Sequence, residues 1–430
     1  MMNTISTSSS WSIGKRIAFR FCFLYFALYF FPAPLNFLPF VVQFDAIVSA
    51  VWTPAIVWVG KTVLKLEEEI TVLPNGSGDT TWNYVQVLIV LTISTVGTIL
   101  WTILDRKRHN YDRLFYWMIV GLRYCTGIVL INYGFAKIIP IQFLLPLDSY
   151  GITYAESSAM GLLWRFMSYS SAYNFFTGGF EALGGLLLLF RRTKLLGGLI
   201  SLTLLSNIVM LNFTYDVPVK LWSIHLFIMT VIVLLPDASR ILNFLVYNRP
   251  TDSVLITPVF KNKTIALIVG VCKAIFIVGI IGIDISAGLS ASRMFEETAG
   301  ASPFAGNYEI QEHIVNHDTL PPLLNDPRRW HMINVKWNEF SKSEKAGVQY
   351  MDMATVLWDI RSDTLRHRIN IFAGDSSTGY KFKYKTIGDV YYLKGTLLND
   401  SIHMSMKRVG KDIPLMSRGF HWINETPYYK

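Results

Sequence analysis

Arg123-Tyr-Cys-Thr-Gly-Ile-Val-Leu-Ile-Asn-Tyr-Gly-Phe-Ala-Lys137 and Gly178-Gly-Phe-Glu-Ala-Leu-Gly-Gly185 are the two stretches on which the fold of this chain turns. Each lies within an apolar run, and each carries charge and glycine where lipid-facing sequence carries neither. Four such runs follow one another between Leu114 and Pro236, the third holding Asn207 and the fourth His225. About 20 apolar residues suffice for a helix to cross a bilayer. Ionisable groups are costly in hydrocarbon, so they turn toward a bundle interior, a partner or a cavity. The four runs therefore predict a four-helix membrane bundle with polar groups inside it.

Helical spacing sharpens this. Arg123, Gly127, Leu130, Gly134 and Lys137 share one stripe, and Asn174, Gly178, Glu181 and Gly185 share another. Glycines beside charges let two backbones approach closely. Counted from the basic ends of their runs, Arg123, Glu181, Asn207 and His225 lie about 13, 15, 18 and 16 Å deep. One shared level predicts an Arg123–Glu181 pair, with Asn207 and His225 beside it. The plainer reading is a structural staple. His225 has no second His or Cys near it in sequence, so it makes no metal site. Lys137 lies near the other end of its helix and is expected to snorkel, or to serve with Tyr133 as an anion anchor at the mouth. Lys273, in the last span, either snorkels or adds positive charge to the core.

Composition agrees with a membrane location. Of 430 residues 52% are hydrophobic and only 16% charged, against about 25% charged in soluble proteins. The net charge of +9 sits in short clusters between apolar runs, such as Arg106-Lys-Arg108 and Arg191-Arg-Thr-Lys194. Such clusters orient a membrane protein and are not a nucleic-acid surface. Cys22, Cys125 and Cys272 form no C-x-x-C pair, so neither a thiol redox motif nor a cysteine metal site is expected.

In chain order, residues 1–113 read as two spans with an interfacial helix between 44 and 66. Residues 114–240 are the four-helix core. Residues 241–288 make a basic connection and a last span from Thr264 to about Ser286. The count is seven spans, N-terminus inside and C-terminus outside, with the first span uncleaved. Residues 289–430 change character. Phe304 to Trp330 is polar and Pro-rich and reads as a linker or short-helix region. From Val348, period-two runs such as Tyr380-Lys-Phe-Lys-Tyr-Lys385 predict an antiparallel β-meander or small sandwich outside the membrane.

The core resembles the DoxX family. The resemblance rests on Arg123 early in the first helix, Gly134-Phe-Ala-Lys137 at its end, and Glu181-Ala-Leu-Gly-Gly185 in the second. Asp326-Pro-Arg-Arg-Trp330 and Phe420-His-Trp-Ile-Asn-Glu425 resemble the tails of larger bacterial DoxX-like proteins. The resemblance implies an inner-membrane subunit serving redox or maturation chemistry, with its β-rich domain in the periplasm. A more distant similarity is to the membrane domain of vitamin K-dependent gamma-glutamyl carboxylase, through Tyr133 and Lys137. The expectation is a bundle binding a lipophilic, quinone-like ligand through Arg123, Tyr133, Lys137, Glu181, Asn207 and His225. The competing expectation is a non-catalytic anchor whose outer β-domain binds a protein partner. A transporter is disfavoured because no inverted repeat is visible. None of these residues assigns a reaction.

Overall fold

The computed structural model describes residues 10–30, 42–68, 70, 76–144, 154, 157–251, 262–300, 304–338, 343–373, 379–397, 399–409 and 421–422. They divide near Leu289 into a helical unit and a β unit. The helices are α1 (Ile13–Phe30), α2 (Val42–Trp58), α3 (Thr81–Leu104), α4 (Asp112–Ile138) and α5 (Ala159–Tyr169). After them come α6 (Ser171–Leu189), α7 (Lys194–Thr214), α8 (Lys220–Leu234), α9 (Ala238–Leu245) and α10 (Lys263–Gly300). By length and composition five segments are able to cross a membrane: α3, α4, α7, α8 continued through α9, and α10. The other two expected spans, α1 and α6, have 18 and 19 residues and are too polar to qualify on composition. Helix α10 outruns its apolar segment because helical hydrogen bonds are local and Ala287–Gly300 contains no proline.

Side chains set the helix ends. Ser158 Oγ accepts from the Gly161 N–H at the start of α5, and Ser170 Oγ accepts from the Tyr173 N–H at the start of α6. Helix α8 is capped from a distance: the Asp79 carboxylate accepts from the Lys220 and Leu221 N–H groups at 2.8 and 2.9 Å. A carboxylate at a helix N-terminus also meets the positive end of the helix dipole. Arg20 is buried and donates to Tyr111 Oη, Thr102 Oγ1 and the Asp105 carbonyl. It ties α1 to the turn between α3 and α4. In that turn Tyr111 Oη donates to Asp105 at 2.7 Å and holds the carboxyl below the usual carboxylate range.

The β unit is a barrel. Its strands are β1 (Gly306–Val315), β2 (Asp318–Thr319), β3 (Trp330–Asn338), β4 (Ser343–Tyr350), β5 (Thr355–Asp363), β6 (Arg368–Ala373), β7 (Gly379–Ile387), β8 (Val390–Leu397) and β9 (Asp400–Val409). Neighbours pair antiparallel in the order β2-β1-β3-β4-β5-β6-β7-β8-β9, and β1 also pairs β9, closing eight strands into a ring. The expected meander is therefore closed, and it begins 42 residues before Val348. Strand β1 falls in the stretch read as a linker, because a bulge between Ile310 and Glu312 breaks its alternation. Tyr308, Ile310 and His313 point inward, two and then three residues apart.

Trp330, Trp358, Phe382, Tyr308 and aliphatic neighbours fill the barrel. A space of about 20 Å³ lies among Phe304, Trp330, Ile333, Val348 and Leu393, room for about one water and not a ligand. Eight strands enclose a space that side chains can fill in this way. Asp326-Pro-Arg-Arg-Trp330 has a structural role here. Arg329 is buried and donates to the carbonyls of Leu320, Ile310 and Gln311, bridging the bulge. The Trp330 N–H donates to His313 Nδ1 at 3.2 Å. Phe420–Glu425 lies outside the described residues except for His421 and Trp422.

His313 makes the barrel acid-sensitive. Burial, assisted by the Arg329 charge, pushes its imidazole from the ordinary 6.5 down to about 4. The unfolded chain takes up this proton below about pH 6.5 and the native chain does not, so stability falls between pH 6.5 and 4. A shift of that size corresponds to about 3 kcal/mol. Thermal unfolding of the full chain in detergent, followed by near-UV dichroism, should fall more steeply with acid than in His313→Asn. Parallel pH profiles would contradict this.

Candidate functional site

Helices α4 and α6 run antiparallel in close contact, and glycine makes the contact possible. A Cβ on Gly134 would lie 2.6 Å from Gly178 O and the Ala182 nitrogen, and one on Gly178 would lie 2.5 Å from Gly134 O. One end further along, a Cβ on Gly127 would lie 2.8 Å from Gly185 O. The two stripes read from the sequence thus face each other. Their register, however, brings Lys137 and not Arg123 to Glu181. Lys137 Nζ lies 2.7 Å from both Glu181 carboxylate oxygens, and the two side chains are 9% and 4% exposed.

The reason is geometric. Arg123 and Lys137 stand fourteen residues apart on one helix, about 21 Å, so one Glu181 cannot serve both. Helix α6 ends at Leu189, well short of the matching end of α4, so depth counted from each helix's own basic end misplaced the level. Lys137 does not snorkel. It is buried against its counter-ion, with the half-exposed Tyr133 ring 5.9 Å from Nζ.

Arg123 is also buried, but at the other end of the α4–α6 contact. Its guanidinium carbon lies 5.6 Å from the centroid of the Tyr124 ring, and its Nε is buried without a hydrogen-bond partner. Lys273 reaches the same ring from α10, with Nζ 5.6 Å from the centroid, and donates to the Leu189 carbonyl at 2.6 Å. That bond uses a free carbonyl at the C-terminus of α6, where the helix dipole favours a cation. Lys273 therefore faces the bundle. Among the described residues no carboxylate ion-pairs with Arg123 or Lys273.

The remaining expected members lie elsewhere. His225 Nδ1 is 2.6 Å from the Leu221 carbonyl and its Nε2 is 2.6 Å from Tyr25 Oη. The carbonyl can only accept, so Nδ1 carries the proton and Nε2 accepts from the tyrosine. Tyr29 stacks on the ring at 3.9 Å. His225 thus joins α8 to α1, with both nitrogens used. Asn207 is exposed on the outer side of α7. The single four-residue pocket expected from depth is replaced by two places along α4: the neutralised Lys137–Glu181 pair and the uncompensated Arg123–Lys273 end. Sequence also missed the Asn132 amide, which, with its nitrogen turned toward α10, donates to Asp284 Oδ2 at 3.0 Å. A lone carboxylate in the last span was the available signal.

No protein-family model matches the chain, and no solved structure matches it. A 123-residue stretch, 28% of the chain, is 33% identical to "Uncharacterized protein YwoB" of Bacillus subtilis (strain 168) and covers 77% of that protein. The chain belongs to the YwoB family. In this YwoB-family chain the matched stretch is less than a third of the length, and the relative's printed description names no activity.

Proposed function

We propose that this chain is a DoxX-like integral membrane subunit, with α1 and α6 completing seven spans. Its bundle binds a lipophilic ligand with an electron-rich oxygen headgroup, quinone-like in chemistry, at Arg123, Tyr124 and Lys273. One observation carries this reading. Two cations from different helices approach a single aromatic ring, with no carboxylate among the described residues ion-paired to either. Like charges in a low-dielectric site repel strongly, and an electron-rich oxygen placed between them would relieve that repulsion. The Arg123 Nε–H is a donor still to be satisfied. Lys137 and Glu181, already neutralised by each other, hold α4 against α6 in this reading.

The competing reading is a membrane anchor whose barrel recruits a protein. Closure of β1 onto β9 leaves the two-residue β2 as the sheet's edge among the described residues, too short for an added strand to dock along, so it loses its simplest mechanism. Extraction in mild detergent separates the two. The proposal expects a stoichiometric small molecule, seen by absorbance and mass, to co-purify. A ligand-free chain with a stoichiometric protein partner would overturn it.

A further inference from the structure

The outer face of the barrel carries a row of basic residues across four adjacent strands. Arg368 on β6 lies directly opposite Lys383 on β7, Lys383 opposite Lys394 on β8, and Lys394 opposite His403 on β9. The alternation that buries Ile369, Phe382, Leu393, Ile402 and Met404 turns these four outward. Lys381 and Lys385 flank the row on β7 with the same orientation. Strands are spaced about 4.8 Å apart, so the row extends about 14 Å.

Like charges directly opposite each other across a sheet are destabilising, so barrel stability does not account for three consecutive basic pairings. Among the described residues no carboxylate forms an ion pair with Arg368, Lys383 or Lys394. The nearby acids are engaged or few. Asp363 lies opposite Arg368 in the register but pairs with Arg366, and Glu312 is a single carboxylate in the lining of the adjoining groove. The row borders a groove of about 410 Å³, whose lining includes Lys383, Lys385, Lys394, His403, Tyr392 and Ser405. Ser405 on β9 is small and lies buried at the floor of the groove, beneath the longer side chains.

We propose that this groove is a binding site for a phosphate-bearing anion with two or more phosphate groups. Several cations at strand spacing match successive phosphates, and a groove whose lining sets three lysines and a histidine against the single carboxylate of Glu312 concentrates negative charge. The phosphates belong either to lipid headgroups or to a soluble phosphate ester. This site is independent of the ligand proposed for the helical bundle.

The test uses the full chain in phosphatidylcholine nanodiscs. One arm titrates inorganic tripolyphosphate, and the other measures capture of vesicles containing phosphatidylglycerol. Lys383→Gln/Lys394→Gln should weaken at least one arm tenfold or more, with a melting temperature that holds or rises as the opposed like charges are removed. Lys345→Gln, which removes a half-exposed lysine outside the row that pairs with Asp359, should change neither arm. Tripolyphosphate binding alone assigns a soluble source, and vesicle capture assigns headgroups. Failure of the wild-type chain in both arms, or an equal loss in the Lys345 variant, would overturn the proposal.

Discussion

Replacing Lys137 by methionine is expected to destabilise the helical unit by about 3–5 kcal/mol, because Glu181 is left buried without its counter-ion. Glu181→Leu strands the ammonium instead and should cost a similar amount. The double variant Lys137→Met/Glu181→Leu removes both charges and should recover most of the loss, since a buried pair often contributes little beyond an apolar pair of similar volume. Denaturant unfolding of the four chains in detergent, arranged as a double-mutant cycle, measures the coupling. Additive single losses would mean that the two groups do not face each other. The double variant should also keep any ligand held at Arg123 and Lys273, which distinguishes a staple from a binding group.

The second large effect is steric. Gly134→Val is expected to force α4 away from α6, because the first added carbon would lie 2.6 Å from backbone atoms of Gly178 and Ala182. Backbone cannot swing aside as a flexible side chain can, and overpacking of this kind costs about 1–3 kcal/mol, occasionally more. Separation would also stretch the Lys137–Glu181 contact one turn away, adding to the loss. Gly121→Ala on the same helix is the control. Nothing lies within 4 Å of a Cβ there, and alanine is the better helix former by roughly 0.5–1 kcal/mol. Its melting temperature should hold or rise while that of Gly134→Val falls. Equal melting temperatures for the two would contradict the close α4–α6 contact.

The contrast between these residues shows what the sequence could convey. Period and residue type located the two glycine-charge stripes, because a helix face is a property of spacing alone. The pairing partner depends on how far one helix slides along the other, and that is set by helix lengths and by the glycine contacts at 127, 134, 178 and 185. Depth counted from each end carries no such information, so Glu181 was assigned Arg123 in place of Lys137. His225 was misplaced for a related reason: its partners Tyr25 and Tyr29 lie 200 and 196 residues away, on a helix read only as a first span. In the barrel, the alternation of Lys381, Lys383 and Lys385 was plain. Closure was not, because β1 hides its period behind a bulge and meets β9 across 87 to 102 residues.

The most direct measurement is native mass spectrometry of the detergent-extracted chain, comparing the wild type with Arg123→Gln/Lys273→Gln. A bound small molecule released intact from the wild type and missing from the variant, with both folded, is the predicted result. Retention of that molecule by the variant, or its absence from the wild type, would contradict a ligand seat between α4 and α10.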